Sequence, residues 1–258
     1  MIPEWPLNDP VGPWVGRRFV RTLAGVLPRV LLPRRRAVLM TVAALVCALT
    51  ATGVLAARAN ANLSKCERFA AASVKRGAMA TGNGERVVVI GDSWSAGLGL
   101  DHPVQSWPSR LPGRVHVAGF SGTGFSEHAS ECGRVSFADR APAALEAGAD
   151  LVVVEGGLND YDSSRAEIKA GFARVLRAAA PYRTVVVGPA LAPARATKMP
   201  RVDRLLGHLS AKYGVPYVST VDLDLPYLDD RLHMTPAGHR IFGDAVAARI
   251  ALVSADPA

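Results

Sequence analysis

Residues 86–95 read RVVVIGDSWS. Val87, Val88, Val89 and Ile90 form a short, continuous run rich in β-branched side chains, which predicts a strand buried on both faces. Gly91 permits a tight turn, and Ser93 follows where a helix would begin. The same kind of run recurs outward from this stretch. Val115-His116-Val117-Ala118, Leu151-Val152-Val153-Val154 and Thr184-Val185-Val186-Val187 are further strand candidates, with Pro216-Tyr217-Val218-Ser219 a weaker fifth. Helical stretches fall between and after them at 141–147, 164–179, 199–213 and 236–252. The last has a capping Thr235, Pro236 at its first position, and a stripe of Phe242, Ala245, Val246 and Ile250 at helical spacing. Strands alternating with helices predict an α/β domain over about residues 85–252, its parallel sheet covered on both faces.

The 258-residue chain is 49% apolar and 20% charged, enough for a real core and against a mainly disordered chain. Three cysteines are too few for a disulfide-framework fold. The net charge of +8 suggests nucleic acid until its distribution is read. Seven arginines against Glu4 and Asp9 give residues 1–36 a charge of +5, leaving +3 for everything after. A nucleic-acid-binding domain keeps its excess on the folded part, so no nucleic-acid partner is expected.

The basic segment 1–36 precedes an uncharged run, Ala37 to Ala57, bounded by Arg36 and Arg58. As a helix it would span about 31 Å, close to the hydrocarbon thickness of a bilayer. The arginines before it should stay cytoplasmic, which places the rest of the chain outside the cell membrane. A single-pass anchor over 37–57 is one reading. The other is a signal peptide cleaved near Ala61, at the small-residue run Ala59-Asn60-Ala61, which would give a secreted protein. Residues 58–84 read as a linker with a short helix, and 85–258 as the folded domain. Cys47 lies within the span. Cys66 and Cys132 lie beyond it, where disulfides persist, and they either pair or remain buried thiols.

In an open α/β sheet, ligands bind beyond the carboxyl ends of the strands. Four polar segments follow strands there or precede the last helix: Gly91-Asp92-Ser93, Gly119-Phe120-Ser121-Gly122, Gly157-Leu158-Asn159-Asp160 and Asp230-Arg231-Leu232-His233. A serine at a strand-to-helix turn presents its hydroxyl beside unpaired early amides, which stabilise a developing oxyanion. It needs a base. Of six histidines, His233 differs by having Asp230 three residues before it, a spacing that lets a carboxylate reach Nδ1, although Asp229 competes. His239 reads as a capping or surface residue. The Asn159 amide can donate to an anionic oxygen without titrating. Gly122 can offer a bare amide to the same point, in competition with Gly119. Trp94, Phe120 and Phe125 either line a pocket or pack the core. There is no metal-binding cluster, no phosphate-binding glycine loop and no dinucleotide fingerprint, so no cofactor or metal is expected.

Together the GDS at 91–93, the glycine at 122, the GLND at 157–160 and the DRLH at 230–233 resemble the four signature blocks of the SGNH hydrolases, also called GDSL-like esterases. The resemblance covers roughly residues 86–250. It implies a three-layer α/β/α sandwich with a flavodoxin-like sheet and a Ser-His-Asp triad. By motif, Ser93 would be the nucleophile, His233 the base and Asp230 its orienting acid. The Ser93 and Gly122 amides and Asn159 would form the oxyanion hole. The second block departs from the family by lacking the Asn often found before its glycine. The implied activity is hydrolysis of acyl esters of a lipid, an acylated glycan or a small alcohol. Acyl transfer to an envelope polymer and a non-catalytic envelope-binding domain are the alternatives.

Overall fold

A computed structural model of the protein describes residues 34–255. Of the basic segment expected at 1–36, residues 1–33 lie outside that range. The chain divides into two units between Gly53 and Val54. Helix α1 (Arg34–Gly77) is continuous through this point. Its window Val38–Leu55 has a mean hydropathy of 2.3 and is unburied, long and apolar enough to cross a membrane. Residues 58–84 differ from the linker expected there. They continue the helix to Gly77, and the second unit therefore begins with helix rather than with irregular chain.

Five strands follow: β1 (Arg86–Gly91), β2 (Arg114–Gly119), β3 (Leu151–Glu155), β4 (Arg183–Val187) and β5 (Tyr217–Val218). They form one parallel sheet in the order β2-β1-β3-β4-β5. Val88, Val89, Ile90, Val152, Val153 and Val154 are essentially inaccessible, as two-sided burial of such runs requires. The remaining helices are α2 (Ser93–Ala96), α3 (Phe137–Ala144), α4 (Arg165–Ala179), α5 (Met199–Tyr213) and α6 (Pro236–Ala255). Right-handed crossovers place the three rightward connections, carrying α3, α4 and α5, on one face. The leftward β1–β2 connection and α6 cover the other, where Phe242 of α6 meets the edges of Trp94 and Trp107, each at 5.4 Å between centroids.

Local sequence explains the helix ends. Ser136 with Asp139 and Ser164 with Glu167 form reciprocal capping boxes that start α3 and α4. α4 buries Ile168, Phe172, Val175 and Ala179, one stripe at helical spacing. The helix expected at 141–147 begins four residues earlier, at Phe137. The capping box at Ser136 and Asp139 is what sets the start, with Pro142 inside the helix. The strands' carboxyl ends, Gly91, Gly119, Glu155 and Val187, lie along one edge of the sheet, and the polar loops meet there.

Candidate active site

Ser93 opens the four-residue helix α2 directly after β1. Asp92 caps this helix, its Oδ1 accepting from Trp94 N at 2.9 Å. The first intrahelical bond is Ala96 N to Asp92 O, so the Ser93 amide has no helical carbonyl to bind. Ser93 Oγ lies 3.2 Å from His233 Nε2, and His233 Nδ1 lies 2.6 Å from Asp230 Oδ2. With Nδ1 protonated, the imidazole donates to Asp230 and accepts from the serine hydroxyl.

The loop that carries this histidine is built to hold it. Arg231 has φ of 57°, the sole positive φ outside glycine among the described residues. That left-handed residue curls the chain so that Asp230 Oδ1 accepts from both Leu232 N and His233 N, each at 2.9 Å. Trp94 Nε1 donates to Leu232 O at 3.0 Å, pinning the loop to the helix that carries Ser93. Burial alone would raise the Asp230 carboxyl. The bonds from His233 and the two amides outweigh it and hold the group below the usual carboxylate range. Of the two aspartates, Asp230 and not Asp229 contacts the imidazole.

Asn159 lies after β3, in a single turn of 3₁₀-helix at Leu158–Asp160. Its Nδ2 donates to Thr123 O at 2.9 Å and to Asp92 Oδ2 at 3.2 Å. Its Oδ1 accepts from Arg195 Nη1 at 2.7 Å, and the same guanidinium nitrogen donates to Leu158 O at 2.8 Å. Arg195 lies 4.4 Å from the Tyr161 ring centroid. This arginine fixes the orientation of the Asn159 amide, with Nδ2 toward Asp92 and Thr123. Sequence reading missed it, because an arginine in the loop between β4 and α5 carries no motif.

The two competing glycines separate by backbone. Gly119 ends β2, and a Cβ there would sit 2.6 Å from Ala96 N, so its role is close packing of α2 on the sheet. Gly122 has φ of 77°, and with Asn159 it lines a cavity of about 260 Å³. Arg140, partly buried, ties the edge together by donating to Ala118 O, Gly91 O and Thr123 Oγ1. Burial lowers its guanidinium to about 10.

Three buried carboxylates lie beneath the serine. Burial raises Asp92 to about 6 and Asp160 to about 6, and pushes Glu155 well above its usual range. Asp160 accepts from the amides of Phe125 and Ser126, which shapes the loop after β2. Glu155 accepts from Ser95 Oγ at 2.6 Å. His239 corrects the surface reading. It is buried, its Nδ1 accepts from Trp107 N, and burial takes it down to about 4, which keeps it neutral. Trp94 and Phe125 are core residues, not pocket lining, and Phe120 is buried as well. Cys66 and Cys132 are joined, with Cα atoms 5.4 Å apart. A larger cavity of about 1200 Å³ lies at the amino end of β4, bounded by Arg183, Tyr213 and Leu252, at the opposite end of the strands from Ser93.

Residues 89–241, more than half of the chain, match the model of the GDSL-like Lipase/Acylhydrolase family. The chain belongs to that family. As a GDSL-family protein it is an ester-hydrolysing enzyme, with the α/β fold that the resemblance implied. No curated protein matches the sequence. Among solved structures, the enzyme is similar in fold to Est24, a carbohydrate acetylesterase from Sinorhizobium meliloti (21% identity, TM-score 0.54, covering 66% of this chain and 100% of that one). It is also similar to the native aryl esterase of M. smegmatis (20%, 0.55, 66% and 99%). A family two carbohydrate esterase from Clostridium thermocellum, in complex with cellohexaose, matches over 68% of this chain and 66% of its own (17%, 0.53).

Proposed function

We propose that this GDSL-family enzyme hydrolyses acyl esters by covalent catalysis at Ser93, with His233 as base and Asp230 as its orienting acid. The observation that carries the reading is the relay Ser93 Oγ–His233 Nε2 at 3.2 Å and His233 Nδ1–Asp230 Oδ2 at 2.6 Å. Ser93 Oγ attacks the ester carbonyl while its proton passes to His233 Nε2. The carbonyl oxygen becomes an oxyanion that accepts from the Ser93 and Gly122 amides and from Asn159 Nδ2. For the last bond, the oxyanion takes over the Asn159 proton now directed at Asp92. The adduct collapses, the ester C–O bond breaks, and His233 returns its proton to the departing alkoxide. A water then repeats the sequence on the acyl-enzyme, releasing the acid and regenerating Ser93.

We infer that the 38–55 window anchors the enzyme in the membrane with the catalytic domain on the extracytoplasmic side. Support comes from the arginines preceding the span and from the Cys66–Cys132 bond, which belongs in an oxidising compartment. Continuity of α1 across Ala59-Asn60-Ala61 favours the anchor, since a peptidase needs extended chain at its cleavage site. An envelope lipid or acylated glycan is then the accessible ester.

The test uses the full-length protein in detergent. A fluorophosphonate probe should label one peptide, containing Ser93, and Ser93→Ala should lose both the label and at least about 10³–10⁴ of p-nitrophenyl acetate turnover. Undiminished labelling and turnover in that variant would exclude Ser93 as nucleophile. Protease added to intact cells should digest the catalytic domain, and full protection would reverse the inferred topology.

A further inference from the structure

The last turns of α1 lie outside the residues matched by the family, 89–241, yet they are fastened to the site. Cys66 is bonded to Cys132, Lys65 pairs with Glu131 at 3.7 Å, and Phe69 packs edge-on against Phe120 with centroids 6.4 Å apart. Further along, buried Arg76 donates to Ser106 Oγ, which in turn donates to Ser95 O, two residues after Ser93. Between this segment and the loops after β2 and β3 lies the cavity of about 260 Å³, lined by Lys65, Phe69, Gly122, Asn159, Tyr161 and Arg195 among others. A Cβ on Gly122 would lie 3.8 Å from Phe69 Cε2, so the ring stands directly over the Gly122 backbone.

We propose that Phe69 of α1 closes the acyl-binding side of the site and limits the substrate to short acyl groups of about two to four carbons. This rests on the Ser93 mechanism above. The departing alkoxide must face His233 Nε2 to receive its proton. The cavity borders the oxyanion groups Gly122 and Asn159, and His233 takes no part in its walls. It therefore lies on the acyl side of the bound carbonyl. Its volume falls below the roughly 300–1,000 Å³ of pockets that enclose drug-sized ligands. Its walls include Arg195, Asp162 and Glu131, and charged groups of this kind disfavour a long alkyl chain, which cannot satisfy them. Phe69 and Tyr161 supply the apolar surface that a short chain needs.

The experiment measures kcat/KM of the full-length enzyme in detergent on p-nitrophenyl acetate, butyrate and hexanoate, with Ser93→Ala run alongside. Phe69→Ala should raise the hexanoate-to-acetate ratio at least about tenfold, because a single accommodated methylene carries discrimination of about tenfold or more. A parallel series of acetyl esters with different alcohols should keep its order. If Phe69→Ala does not fold, Phe69→Trp should lower the butyrate-to-acetate ratio about tenfold. Unchanged acyl ratios with an inactive Ser93→Ala would overturn the role of Phe69 and leave the nucleophile standing. A shift in alcohol preference instead of acyl preference would also overturn it. An active Ser93→Ala would remove the mechanism on which the inference rests.

Discussion

Two sets of carboxylates meet at the same sheet edge and behave oppositely. Asp230 sits in a loop with its side chain about half exposed (48%), and its bonds to His233 and two amides keep it ionised. Asp92, Glu155 and Asp160 are buried beneath Ser93, and burial drives each toward its neutral form. A negative charge is maintained where water and three donors support it, and where the proposed mechanism forms an imidazolium. Below the serine, the carboxyl groups act as hydrogen-bond acceptors that set loop shape. A full charge there would oppose the oxyanion.

The sharpest way to break this contrast is to neutralise the exposed member. Asp230→Asn should lower kcat/KM by about 10³–10⁴ by disfavouring the protonated imidazole, while Asp229→Asn leaves it nearly unchanged. Equal effects in steady-state kinetics would dissolve the distinction between them. Asn159→Ala should cost about 10²–10³ in kcat with KM within a few fold, and a loss confined to KM would place the amide outside the oxyanion site. Arg195→Met should cost about tenfold in kcat, since the Asn159 amide then loses its fixed orientation, and Arg195→Lys should recover part of it. Identical rates in all three proteins would show that Asp92 and Thr123 alone suffice to orient Asn159.

The smallest effect concerns the buried member. Asp160 holds its proton in the folded protein up to about pH 6, above the usual carboxylate range. The folded state thus binds the extra proton, and this stabilising contribution is full below about pH 4 and is lost as pH rises through about 6. His239, lowered to about 4, acts the other way over the same window, but it is common to both proteins and cancels in a difference. Relative to wild type, Asp160→Asn should gain a few degrees of Tm between pH 4.5 and 7. A constant difference across that range would mean the Asp160 carboxyl is not perturbed by burial.

The sheet was legible because two-sided burial demands continuous runs of β-branched residues, and the four longest runs are strands β1 to β4. β5 was weak in sequence and is two residues long. The helix at 164–179 starts at a capping box that agrees with its buried stripe, whereas the capping box that starts α3 lies four residues before the stretch expected to be helical. The site residues could be named because each stands at a strand end or before α6. What could not be read were contacts made by side chains without local pattern. Arg195 reaches Asn159 across 36 residues, and His239 is buried by the distant turn at Trp107. The reach of α1 to Gly77 was hidden as well. Residues 62–77 are polar enough to resemble a linker, and their helix is fixed by contacts with residues 106, 120 and 132.

That fastening has a practical side for anyone cutting the gene. A soluble fragment beginning at Arg86 would carry all three of Ser93, Asp230 and His233 and the whole sheet, and it would pass as a complete hydrolase by alignment. It would also leave Cys132 unpaired, strip the ring from above Gly122 and open one side of the cleft to solvent. Selectivity measured on such a fragment would describe the cut, whereas one beginning near Leu63 would keep the native pocket.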